Sequence, residues 1–149
     1  MRQVNDILSW PLFRMLDQQL ASGRDLRFAV GRPTRLALKV LQRWPGRALL
    51  YDAMDDFPRF YRGLSAAHNE KIEMAIARAV PQILISSSAL AGKFVDTGAS
   101  VMLVPNAFDE NRCTQIAARV ERRVVGYMGT IGAWFDWESV IDAARRRPG

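Results

Sequence analysis

The chain of 149 residues is 49% hydrophobic and 24% charged, ordinary globular values that exclude wholesale disorder. Cys113 is its one cysteine and His68 its one histidine, which excludes an intrachain disulfide, a Cys-pair zinc site and a His-rich metal site. A net charge of +6 and a pI near 10.2, carried by 18 Arg and three Lys, fit anionic partners: nucleotides, phosphorylated sugars, acidic lipid headgroups or nucleic acid.

Residues 6–22 predict a helix, with Ile7, Leu8, Phe13, Leu16 and Leu20 apolar, Pro11 in an early turn that tolerates it, and Gly23 as the stop. "LRFAVG", 26–31, is a short apolar run and a buried-strand candidate. Pro33 and Thr34 then start a helix whose face carries Leu36, Val40 and Leu41, and "RALLYD", 47–52, makes the next strand. The cleanest helix follows Gly63. Ile72, Ala75, Ile76, Ala79 and Val80 share one face, Glu70, Lys71, Glu73 and Arg78 lie elsewhere, and Pro81 ends it. "QILIS", 82–86, is a strand, Ser87 or Ser88 caps a helix through "ALAGKFVDTG", and "SVMLVP", 100–105, is a further strand.

Short apolar strands thus alternate with helices. That is the pattern of an α/β domain, a Rossmann-like parallel sheet with helices on both faces. Residues 1–105 form this domain, and the polar stretch 106–121 reads as a linker with a short helix at 112–118. Residues 122–149 read as the first βα unit of a second Rossmann-like domain. There "RRVVGYMG" is the strand, Asp136 the N-cap, and Trp137, Val140, Ile141 and Ala144 one helix face. One strand and one helix cannot bury an apolar face alone, so this unit is expected to lack its partner elements and to be poorly soluble.

No run of 18 apolar residues occurs; the stretch 75–95 is broken by Arg78, Pro81 and Ser86–Ser88. No basic region followed by an apolar run opens the chain, so no signal peptide is read. The expected location is the cytoplasm, with peripheral contact at the inner membrane face as the variant.

Three segments could carry chemistry. Gly126, Gly129 and Gly132 lie between an apolar run and a helix, where backbone N–H groups and a helix N-terminus can meet a phosphate. Their spacing is neither the dinucleotide fingerprint nor the P-loop, and a glycine-rich turn without a ligand explains it equally well. Asp52, Asp55 and Asp56 follow the end of a strand, the edge where open α/β sheets bind ligands. Contacts to sugar hydroxyls or acid–base work are the main reading, a divalent cation the minor one, and turn charges with a helix cap the bland one. In "VPNAFD", Pro105 stops the strand and Asn106 and Asp109 suit an exit turn. His68 reads as a surface or boundary residue; no G-x-S-x-G elbow accompanies it.

In this order, "LLYDAMDDF", "ILISSSAL", "VMLVPNAFD" and "VVGYMGTIGAWFDWESV" resemble nucleotide-sugar glycosyltransferases of the two-Rossmann-domain GT-B type. The likeness is to the family-4-like (group 1) bacterial enzymes of polysaccharide and cell-envelope synthesis, and it covers about residues 28–148. It implies that Asp52, Asp55 and Asp56 line the acceptor side of a cleft and that Pro105 and Asn106 form a hinge. It also implies that Gly129, Thr130 and Gly132 hold the donor diphosphate through backbone N–H groups. The implied partners are a nucleotide-sugar donor and a saccharide or lipid-linked acceptor, with no metal, no separate cofactor and no nucleic acid. The sequence departs from the resemblance where many relatives carry a His near the end of the "LLYD" strand; Tyr51 and Asp52 stand there. The family's donor-binding basic residues and paired glutamates lie downstream of its glycine loop and are not among these residues, and the opening strand and glycine loop of its first domain are missing. No catalytic residue is therefore assigned, and the chain alone is expected to be inactive. The alternative is a basic α/β binding module for nucleotides or nucleic acid, against which stands the lack of aromatic residues interleaved with a basic stripe.

Overall fold

The computed structural model describes residues 2–107, 126–132 and 135–146, with side-chain burial from Ser9 onward. The chain divides into two compact units, Met1–Phe108 and Asp109–Gly149, and each is described by itself.

The first unit opens with helix α1, Arg2–Ala21. The helix starts earlier than the sequence predicts, so Pro11 lies well inside it rather than in its first turn. There the proline removes one i to i−4 hydrogen bond. The helix ends as its glycine predicts. Gly23 takes φ +82°, Gly23 N–H donates to Leu20 O (3.1 Å) and Arg24 N–H to Gln19 O (3.3 Å). These bonds satisfy carbonyls that the last turn leaves open.

Strand β1, Phe28–Val30, leads to helix α2, Arg35–Arg43. Thr34 caps α2 by accepting the Ala37 N–H (3.1 Å), as the Pro-Thr start predicts. A 3-10 turn, Pro45–Arg47, leads into β2, Ala48–Ala53, and a second one, Phe57–Phe60, leads to helix α3, Gly63–Ala77. Strand β3, Gln82–Ile85, and strand β4, Ser100–Leu103, complete the unit. Between them the predicted helix "ALAGKFVDTG" is a run of 3-10 turns, Ser88–Thr97, interrupted at Asp96. Ser87 still caps it, accepting the Ala89 N–H at 3.3 Å.

The α/β reading is what the structure shows. The four strands form one all-parallel sheet in the order β1-β2-β3-β4, flanked by helices as in a Rossmann-like fold. Register aligns Tyr51 with Ile83 and Val101, and Ala53 with Ile85 and Leu103. This row lies under α3 and the 3-10 run: Phe94 meets Tyr51 edge-on with ring centroids 6.1 Å apart. Leu41 from α2 and Ile72, Ile76 and Val80 from the α3 region complete the same core. Burying each large apolar side chain there stabilises the unit by about 1.5–3 kcal/mol. Side chains alternate along a strand, so Asp52, Leu84 and Met102 occupy the opposite face. That face is less covered; Met102 is about half exposed.

In the second unit, helix α4 spans Trp137–Arg146. Asp136 is its N-cap, accepting the Ser139 N–H at 3.0 Å. The predicted strand 122–128 is described only from residue 126, and residues 126–128 are not in a strand. Residues 108–125, including Asp109 and most of the predicted linker, lie outside the described residues, as does Trp134. On α4, Trp137, Val140 and Ile141 are each about half exposed, the uncovered stripe that its spacing predicts.

Candidate functional site at the carboxyl edge of the sheet

A parallel sheet delivers the C-terminal ends of all its strands to one edge. Here β2 exits through Met54, Asp55 and Asp56, β3 through Ser86–Ser88, and β4 through Val104, Pro105 and Asn106. Two bonds tie these exits together. Ser86 Oγ donates to Met54 O (2.7 Å), and Val104 N–H donates to Ile85 O (2.8 Å). Pro105 and Asn106 follow directly, exposed and outside regular structure.

The three predicted aspartates do not act as a trio. Asp52 is half-buried on the sheet face opposite Tyr51, and Asp55 is exposed. Asp56 is held in place. Its Oδ1 lies 2.5 Å from Lys93 Nζ and its Oδ2 2.7 Å from Arg59 Nε. Lys93 continues inward, with Nζ 2.6 Å from Oε2 of Glu73. Glu73 is fully buried, and its Oε1 accepts the Tyr51 hydroxyl at 2.8 Å. A continuous chain of charge-assisted contacts therefore runs from a core tyrosine to an exposed arginine.

The electrostatics follow from burial. Burial first, and then the Glu73 carboxylate, push the Tyr51 phenol far above its ordinary value, so Tyr51 stays a donor at any physiological pH. Burial alone would lower the Lys93 ammonium, but hydrogen bonds to Asp56 and Glu73 outweigh it and raise the group. A carboxylate buried as Glu73 is costs several kcal/mol unless compensated, and Lys93 with Tyr51 supplies that compensation.

The sequence leaves Glu73 off the apolar face of its helix, and the structure corrects this. Glu73, Ala77 and Val80 recur at i, i+4 and i+7, a row contiguous with Ile72 and Ile76, and all five are buried. That spacing is a readable signal: an acidic residue inside an apolar row needs a buried partner. The partner's identity was not readable, because Lys93 reaches Glu73 from a different segment, twenty positions on. His68, exposed on α3, belongs to no such network.

The glycine loop of the second unit has a different character. Gly129 and Thr130 are exposed, and Thr130 O accepts the Tyr127 hydroxyl at 3.2 Å. Gly132 O accepts the Phe135 N–H at 3.0 Å. A Cβ at Gly129 would sit 2.7 Å from the Tyr127 hydroxyl, so a side chain there would displace that tyrosine. Rings of Tyr127, Phe135 and Trp137 pack in sequence, each pair 4.8 Å apart. The N-terminus of α4 already holds a carboxylate. Bonds from the Ser139 side chain and backbone keep Asp136 below the usual carboxylate range. A phosphate brought to that helix end would meet this charge.

Among the described residues, no group of three or more His, Cys, Asp or Glu side chains is arranged to hold a metal ion, and no helix is long and apolar enough to cross a membrane. Comparison with models of protein families, with curated proteins and with solved structures finds no match to this chain.

Proposed function

We propose that this chain carries the acceptor side and the donor loop of a nucleotide-sugar glycosyltransferase of the GT-B type. One observation carries the reading: the exit of β2 is an acidic loop anchored to the core, with Asp56 tied through Lys93 to the fully buried Glu73. A loop held this way presents the exposed Asp55 carboxylate from a rigid base, which is what a preorganised binding site needs. Its position at the carboxyl ends of parallel strands is where α/β folds take their ligands. Ionised carboxylates only accept hydrogen bonds, and saccharide hydroxyls donate them. Asp52 and Asp55 are therefore assigned to acceptor hydroxyls and Asp56 to holding the loop. Pro105 and Asn106 form the hinge, and the backbone of Gly129, Thr130 and Gly132 faces the donor diphosphate. The bacterial polysaccharide and cell-envelope setting follows from the same resemblance.

The reading is tested by saturation-transfer NMR of the purified chain with a panel of neutral oligosaccharides. The expected result is transfer to at least one saccharide, reduced by Asp52→Asn and by Asp55→Asn. Absence of transfer to every saccharide, together with tight salt-sensitive binding of oligonucleotides, would replace this function with that of a nucleic-acid binding module.

A further inference from the structure

The sheet ends in two edge strands, β1 and β4, and they are built differently. An edge strand presents a row of unpaired N–H and C=O groups to any strand that can reach it, and proteins blunt such edges with bulges, charge or proline. The β1 edge is blunted in this way. Its register with β2 shifts between Phe28 and Ala29, and Arg27 and Arg32 stand near its ends. The β4 edge is not. Its register with β3 is regular from Ser100 to Leu103, no residue from Thr97 to Phe108 is charged, and Pro105 comes only after the strand. Met102, Leu103 and Val104 are each about half exposed along it.

The ladder fixes which groups face outward. Ser100 N–H donates to Pro81 O (3.0 Å) and Val104 N–H to Ile85 O (2.8 Å), so the even-numbered residues bond inward to β3. The N–H and C=O groups of Val101 and Leu103 therefore point outward, and among the described residues they have no partner. This pattern is self-complementary. A second β4, turned about a two-fold axis beside Met102, runs antiparallel to the first. Val101 then lies opposite Leu103 of the second copy, where the two residues exchange both N–H···O bonds, and Met102 faces its own counterpart.

We propose that the chain forms a two-fold dimer in which β4 pairs antiparallel with β4 of a second copy, joining the two sheets into one. The lack of charge on β4 favours this occupant. Each copy carries a net charge of +6, and cations on the strand would be set directly opposite each other. Pairing of β4 with the β1 edge of a second copy would be head-to-tail and would leave a further edge open at each end. Arg27, Arg32 and the register shift of β1 oppose it. An edge ladder this short buries little surface, so the dimer should exchange with monomer as concentration changes.

The test is sedimentation velocity of the full chain over a range of concentrations, where a monomer–dimer equilibrium is expected. Leu103→Pro removes an outward N–H and keeps the bonds to β3, since an edge strand accepts proline where its N–H faces solvent. It should weaken the dimer by roughly tenfold or more and leave the far-ultraviolet circular dichroism unchanged. Met102→Lys sets two cations opposite each other at the axis and should also dissociate the dimer, which keeps the test decisive if the proline variant misfolds. Ile141→Lys, on the exposed stripe of α4, should leave the dimer intact. Oxidation in a Cys113→Ser background reads the register. Met102→Cys should cross-link to itself, because facing residues of a non-hydrogen-bonded pair have Cα atoms about 4.5 Å apart, within disulfide reach. Val104→Cys should cross-link only when mixed with Ser100→Cys, the position it faces in the second copy. A monomer at every concentration would overturn the proposal. So would a series of higher oligomers, a dimer that survives both Leu103→Pro and Met102→Lys, loss of the dimer in Ile141→Lys, or self-cross-linking of Val104→Cys equal to that of Met102→Cys.

Discussion

Two ion pairs of the first unit have nearly the same length and opposite surroundings. Lys93 and Glu73 stand 2.6 Å apart, with the lysine side chain 19% exposed and the glutamate side chain 0% exposed. Arg43 and Asp17 stand 2.7 Å apart, with side chains 52% and 44% exposed. Distance therefore does not rank them. Two charges about 4 Å apart interact by about 1 kcal/mol in water and about 4 kcal/mol at the effective dielectric near a protein surface. Burial adds a large desolvation cost to the first pair, which makes it indispensable to its own partners without making it a large net stabiliser. The carboxyl edge is thus a region where removing one group strands another. The α1–α2 flank is a region where water and salt replace whatever is removed.

The largest effect expected from this contrast is that of Lys93→Met. It leaves Glu73 buried without a cation and should cost about 3–5 kcal/mol in urea unfolding. The triple variant Tyr51→Phe, Glu73→Leu, Lys93→Met should recover most of that loss, since it removes the buried charge together with the cation and the hydroxyl that served it. A single-variant cost under about 1 kcal/mol would place the Lys93 pair in the same class as the exposed one.

Tyr51→Phe comes next, at about 1–3 kcal/mol, because Glu73 loses a buried donor while the ring and its contact with Phe94 remain. The same groups set an alkaline limit. The folded state holds the Lys93 and Tyr51 protons above their unfolded values. Their contribution is therefore complete below the unfolded values, at about pH 10, and is lost as pH rises toward the folded values. Parent and variant stabilities should run parallel through neutral pH. Above about pH 10 the parent should fall more steeply than Tyr51→Phe. Parallel curves to the alkaline end would show that the phenol is not held by the carboxylate.

Much of the fold was legible in the sequence because it depends on local patterns. The four strands of the first unit, the Thr34 and Asp136 caps and the Gly23 stop each rest on a few adjacent residues, and each appears in the structure, whereas the strand expected at 122–128 is absent at 126–128. The run after Ser87 has a composition that suits a helix, and the structure differs. The 3-10 turns that form instead bring Lys93 to Asp56 and Glu73 and Phe94 to Tyr51, a demand set by residues far away in sequence. The candidate site was legible in place, as the acidic exit of β2, but not in its division of labour. Alternation put Asp52 on the other sheet face, while Asp56 was drawn into a network whose other members, Tyr51, Arg59, Glu73 and Lys93, come from four elements. The basic flank was legible as net charge alone, because the groove that gathers Arg14, Lys39 and Arg43 exists only once α1 lies beside α2.

The smallest expected effect belongs to the exposed pair. Arg43 also lies over the Phe13 and Trp44 rings, at 6.0 and 5.2 Å, so Arg43→Ala removes stacking together with charge. Cation–π contact at such sites contributes about 0.5–1 kcal/mol, comparable to the pair itself. A double-mutant cycle separates the two: Asp17→Asn removes only the charge, and the coupling between Asp17→Asn and Arg43→Ala isolates the pair. That coupling should be at most about 1 kcal/mol at low salt and should vanish in concentrated salt, while the remaining cost of Arg43→Ala persists. A coupling that survives high salt would mean the Arg43–Asp17 pair is shielded from solvent. The flank would then resemble the carboxyl edge, and its cations would be tied inward rather than left to solvent.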